Sequence, residues 1–221
     1  MAVATSGIAV GSDGIARCWW CVDDPLYLSY HDLEWGRPVI EDRRVFEKIA
    51  LEGFQSGLSW LTILRKRDNF RRAFKSFDYA TVARFGARTV DRLMRDPGIV
   101  RNRAKILATI NNAQRCLALT EEFGSLAAYV WSFEPDVGSH PARMDWATLV
   151  RMGPSNEAKA MSRDLKKRGW AFVGPTTAYS VMESIGIVND HMSRCHFRAE
   201  VERERSTFLR PKIPIQTGVA R

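Results

Sequence analysis

Between Pro38 and Pro97 no proline interrupts the chain, and apolar residues recur there at helical intervals. Val45, Phe46, Ile49, Ala50 and Gly53 fall on one narrow stripe. Trp60, Leu61, Leu64, Phe70 and Phe74 resume the pattern after a short break at QSGLS, Gln55 to Ser59. So long a run without a helix breaker commits the fold to packed helices. The period continues from about Asn102 to Phe123, with Ile106, Ile110, Ala113 and Leu117 on the buried face. Ser155 is a natural N-cap after Pro154, and a further helix opens at Thr176 or Thr177 and runs to about Gly186. No alternating segment of useful length offers a strand, and no repeat of roughly 20 to 50 residues is present, so the class is all-α. The loop signals from Glu134 to Gly153 mark a place where two helical lobes could separate.

The chain has 221 residues and 45% apolar content, which suits one globular domain, or a large lobe with a smaller one packed on it. No run approaches the ~18 apolar residues of a membrane span, so no membrane partner is expected. Residues 1–16 lack an early basic region and read as a disordered leader, with a cytoplasmic protein behind it. Residues 17–197 form the expected domain, and 198–221 a solvated tail. The protein is expected to be a monomer. A net charge of +8 favours a polyanionic partner but does not prove one.

Chemistry concentrates at the two ends. His191 and Cys195 stand four apart, and on a helix they would share one face. A tetrahedral zinc needs four such ligands. The stretch RCWWCVDDPLYLSYHD supplies Cys18, Cys21 and His31 as partners. Spacing alone allows Cys18 with Cys21, or Cys18 with His31. Either set joins the ends of the folded unit, and a covalent bridge over so long a loop contributes roughly 4–5 kcal/mol in the chain-entropy model. The plainer reading is a set of buried cysteines and a hydrogen-bonded core histidine. Cys116 lies in an apolar helical pattern and reads as a small core residue.

In DPGIVRNRAKI, Asp96 to Ile106, Pro97 ends one helix and Gly98 can take φ > 0. Ile99 and Val100 can pack inward, and the next helix begins with bare amides beside Arg101, Arg103 and Lys105. Amides and cations together form a phosphate site, so residues near 93–106 read as a helix-hairpin-helix gripping the DNA backbone. An ordinary turn with solvated charges is the alternative. Aromatic residues crowd the first 60 positions, among them Trp20, Tyr30 and Trp60. Glu52 follows Ile49, Ala50 and Leu51, where a carboxylate is expensive unless solvated or paired. It is either an exposed helix residue or the anion of an aromatic pocket, and spacing does not choose.

Taken together, RCWW, DPLYLSYHDLEWGRP, FEKIALEGFQSGLSWLTILRKR, DPGIVRNRAKI, KKRGWAFVGPTTAYSVMESIGIVNDH and Cys195 resemble the 3-methyladenine DNA glycosylase type I family, in its order and close to its spacing. The resemblance implies an all-α helix-hairpin-helix glycosylase fold with a zinc-stabilised lobe built partly from both termini. It implies one structural zinc on Cys18, His31, His191 and Cys195, favouring His31 over Cys21. It implies that Glu52, Tyr30 and Trp60 recognise a flipped methylated base, that Trp20 joins the wall and that Leu58 enters the gap in the duplex. The substrate expected is double-stranded DNA carrying alkylated adenine, and the product free 3-methyladenine and an abasic site. Arg101 to Thr120 holds no acidic residue, so no aspartate follows the hairpin. That matches the family and implies narrow specificity for a labile, cationic base and no strand cleavage. A binding protein of the same fold without catalysis, and a zinc hydrolase, are the competing readings.

Overall fold

A computed structural model describes residues 6–21 and 24–214. The chain opens with a two-stranded antiparallel hairpin, β1 (Ile8–Val10) and β2 (Ala16–Cys18). The helices α1 (Pro25–Leu33), α2 (Asp42–Gln55) and α3 (Trp60–Ala73) follow. After a single turn at Lys75–Phe77 come α4 (Tyr79–Val82), α5 (Ala87–Arg95), α6 (Arg103–Phe123), α7 (Leu126–Trp131) and α8 (Trp146–Arg151). The order closes with α9 (Asn156–Lys167), α10 (Pro175–Ser184) and α11 (Arg198–Thr207).

Helix α2 is the centre. Every residue from Val45 to Phe54 is buried, because α3, α6, α7 and α10 all pack against it. The apolar stripe read from the sequence therefore understates its burial: Leu51, Lys48 and Glu52 are covered too. Below it, the rings of Phe54, Phe70, Phe74 and Phe77 pack on one another with centroids 4.6 to 6.3 Å apart. Such aromatic pairs add about 0.5–1.5 kcal/mol each beyond their area burial. Asn102 caps α6 by accepting from Lys105 N, and Ser155 caps α9 by accepting from Ala158 N. Helix α10 begins at Pro175 with Gly174 as its cap, slightly earlier than either threonine suggests. Proline suits that first position because its missing N–H has no helical partner anyway.

Three expectations need correction. Residues 6–16 are not disordered: Ile8 pairs with Cys18 and Val10 with Ala16, and His196 N adds a bond to Ala16 O at 2.9 Å. Arg17 anchors the hairpin, donating to both Asp32 oxygens at 2.9–3.0 Å and to Asp13 at 2.9 Å. Residues 1–5 lie outside the described residues. The segment from 198 is not a solvated tail either. Val201 is fully buried, Arg205 donates to Gly186 O and Ile187 O at 2.7 Å, and Arg210 forks onto Glu134 at 2.9–3.0 Å. Arg205 thereby satisfies two carbonyls of the turn that follows α10. Residues 215–221 lie outside the described residues. Finally, 188–197 is a series of turns rather than a helix, so His191 and Cys195 do not meet through helical spacing.

The loop after α1 closes on the end of α10 through Gly36 N to Glu183 O and Val39 N to Ile185 O, both 3.1 Å. Gly186 has φ +79° there, and an added Cβ would stand 2.6 Å from Arg37 C and 2.7 Å from Gly36 O. Gly186→Ala should therefore cost at least about 2 kcal/mol, since neither the backbone angle nor the facing chain can yield cheaply. Urea unfolding of the two proteins measures this; equal midpoints would show that the contact relaxes.

Candidate active site and metal centre

The segment after β2, the inner faces of α1, α2 and α10 and the first residue of α3 enclose a cavity of about 260 Å³. That is smaller than the roughly 300–1,000 Å³ of drug-sized ligand sites, and suits one flat ring system. Trp20 packs on Tyr27 at 4.8 Å and edge-on to Trp35 at 5.1 Å, while Tyr30 packs on Trp60 at 5.3 Å. Glu52 lines this cavity and is 6% exposed. Burial pushes its carboxyl up to about 8, with only the Lys48 charge pulling it back. Burial, followed by the Glu52 charge, also raises the Tyr30 hydroxyl far above its usual range, so Tyr30 stays a donor. The four residues expected around a base are thus together.

The sequence reading missed Glu183. It brings a second carboxyl into the same cavity from α10. Burial, then the charges of Asp190 and Glu52, push it well above the ordinary carboxylate range. Asp190 beside it accepts from Tyr179 Oη at 2.7 Å and faces His140 Nε2 at 2.7 Å. Ser180 stands one turn before Glu183 and also lines the cavity. Nothing in MESIG flags Glu183 until α10 is known to face α2.

The turn from Asp96 to Asn102 joins α5 to α6 as expected, with Ile99 buried. Gly98 does not need φ > 0; it is required by close approach, since a Cβ would stand 2.9 Å from Asn69 Cγ. Arg101 and Arg103 are exposed on this turn. Lys105 is not: its ammonium is buried and donates to Phe54 O at 2.8 Å and Ser56 O at 2.5 Å. It caps the C-terminus of α2, where bare carbonyls attract a cation more strongly than solvent does. Leu58, in the break between α2 and α3, is exposed.

Cys18, His31 and Cys195 bring ligand atoms within 4.8 Å of one another, all buried. The His191 ring meets the His31 ring at 4.8 Å, and its Nε2 is buried without a hydrogen-bond partner. Asp32 Oδ1 holds His31 Nδ1 at 2.7 Å, and Asn189 Oδ1 holds His191 Nδ1 at 3.0 Å. Each acceptor fixes the proton on Nδ1 and turns an Nε2 lone pair inward, the arrangement by which histidines ligate metals. Burial, then the His31 ring, push the His191 imidazole down to about 3, so it is neutral as ligation requires. Cys21 points its thiol at Cys18 O, 3.2 Å away, and stands apart from the cluster. Two cysteine sulfurs and two imidazole nitrogens are a donor set that fits a tetrahedral zinc.

The raised Glu52 carboxyl links stability to pH. Its ordinary value is 4.5 and its folded value about 8, so the folded state holds the proton longer. Stability from this group is full below 4.5 and is lost as pH rises towards 8. Glu52→Gln should remove that loss, making the variant more stable than the parent at pH 8 by on the order of 2 kcal/mol, with the gap closing towards pH 5. Urea unfolding across that range measures it; a parallel pH dependence in both proteins would contradict the burial argument.

Comparison with known proteins agrees with this geometry. The methyladenine glycosylase family profile matches residues 20–199. A protein of Escherichia coli (strain K12), DNA-3-methyladenine glycosylase 1, is 45% identical over 180 residues, covering 81% of this chain and 95% of its own length. A crystal structure of 3-methyladenine DNA glycosylase I superposes with a TM-score of 0.74 at 44% identity, over 81% of this chain and 98% of the other. The Staphylococcus aureus enzyme, solved to explain 3-methyladenine recognition, gives 0.73 at 36% identity, over 80% and 93%. With its cavity, its helical order and its matching relatives in agreement, the chain belongs to the methyladenine glycosylase family.

Proposed function

We propose that this protein is a DNA repair glycosylase that extrudes 3-methyladenine from alkylated duplex DNA and hydrolyses its glycosidic bond, leaving an abasic site. The observation that carries the reading is Glu52, a buried carboxyl in a small cavity walled by tryptophan and tyrosine rings. Adenine methylated at N3 within DNA is cationic, so aromatic faces attract it and a carboxylate accepts its donors. Trp60, Tyr30 and Trp20 hold the ring, and Glu52 recognises its polar edge. The cation is already a good leaving group. Contacts that strengthen as the bond to C1′ breaks lower the barrier further, and water attacks the sugar. Extrusion costs a few kcal/mol. Leu58, exposed at the mouth of the break, acts as the apolar wedge that offsets it. Arg101 and Arg103, with the α6 N-terminus and the close-packed Gly98 turn, hold phosphates. Lys105 serves this grip indirectly, by fixing α6 to α2. Cys18, His31, His191 and Cys195 would hold one zinc whose role is structural, because four protein ligands leave no open position.

Incubation with methylated duplex DNA should release free 3-methyladenine far above the spontaneous rate, with the strand intact at each abasic site. Glu52→Gln should lower release by about 100-fold or more while the fold persists. No product above background would favour the binding-protein reading instead. Cys195→Ser should carry well under one zinc per chain and melt lower, and full zinc occupancy in that variant would refute the ligand set.

A further inference from the structure

Lys48 is buried at 5% exposure, and its Nζ has no hydrogen-bond partner. Burying an ammonium without such bonds is costly, so its retention calls for a compensating interaction. It stands one turn before Glu52 on α2, on the same face. Its Nζ lies 4.7 Å from the centre of the Tyr30 ring and 3.9 Å from Glu34 Oε2, too far for a hydrogen bond to that oxygen. The neighbouring charges are mostly matched already. Glu34 is gripped by Arg67 at 2.6 and 2.8 Å, and Glu47 by Arg71 at 2.9 Å. Arg67, reaching across from α3, repels the ammonium. Glu52 makes no ion pair among the described residues, and around it stand Tyr27, Tyr30, Glu183 and Lys48. Lys48 is the cation in that set.

We propose that Lys48 is a positioning residue for base recognition: its ammonium, behind the Tyr30 ring, sets the pH above which Glu52 is a carboxylate able to accept from the extruded base. This rests on reading Glu52 as the base acceptor. Lys48 does not line the cavity, so it is no nucleophile and touches no substrate. Burial pushes Lys48 down to about 8, opposed first by the Glu34 charge and then by Glu52; burial pushes Glu52 up to about 8, opposed by the Lys48 charge. The extruded cationic base, still joined to its sugar, brings a second positive charge and completes the ionisation of Glu52 as it enters.

The test is kcat/KM for 3-methyladenine release against pH, which reports groups of the free enzyme. Lys48→Met removes the charge and keeps most of the length. Its acid limb should move up by at least about one pH unit, a roughly tenfold loss below the limb, with the alkaline plateau within about threefold. Lys48→Gln should shift the limb the same way, and Lys48→Arg should return it towards the parent. A limb that stays in place in both uncharged variants, or a loss uniform in pH, overturns the proposal, because a purely structural lysine would act that way. Failure of the parent to release base at any pH overturns the reading of Glu52 and the proposal with it.

Discussion

Glu52 holds its carboxyl out of water on a helix packed from several sides, and the cost of that desolvation shapes its surroundings. A carboxylate there needs either a proton or a cation. Lys48 supplies a partial answer, and an incoming cationic base would supply a better one. Aromatic walls give the same answer from the sides, because their faces attract positive charge and their edges exclude water. The site is therefore poorly satisfied when empty. That is the expected signature of a site built for a ligand rather than for stability. Glu183 brings a second buried carboxyl to the same cavity, where burial, Asp190 and then the Glu52 charge push it up.

The rest of the fold holds this cavity in shape by joining distant segments. The hairpin at the start of the chain meets the turns after α10 through His196 and Ala16, and through Met192 N on Cys18 Sγ at 3.3 Å. Arg37 binds Asp32 O at 2.7 Å and Glu200 at 2.7 Å, and reaches Glu204 as well, so α11 is fastened to the loop after α1. The cysteine–histidine cluster lies at the same junction. Trp20 and Trp35 touch the His31 ring on one side and line the cavity on the other. Order at the cluster is therefore order in the pocket wall.

What the sequence revealed follows from range. Helical periodicity is local, so α2, α3 and α6 were legible, and so was the cap at Ser155. The hairpin was not, because two three-residue strands carry no detectable alternation and their anchor, Arg17 on Asp32, is a tertiary contact. Segment 198–210 looked solvated because its arginines and glutamates resemble a surface face, yet their partners are carbonyls and carboxylates far along the chain. Glu52, Tyr30 and Trp60 came from resemblance, since spacing left Glu52 undecided between surface and pocket. Lys48 and Glu183 needed the packing of α1 and α10 on α2. Lys105 was misassigned because a cation at a helix start serves a phosphate and a neighbouring helix's carbonyls equally well on paper.

Lys105 has one more effect. Its ammonium fastens the first turn of α6 to the last turn of α2, and Lys66 fastens α3 to Pro97 O at 2.9 Å, so the Gly98 turn is tied to the helix that carries Glu52. DNA held at that turn would therefore meet the cavity at a spacing set by the protein alone, whatever its sequence.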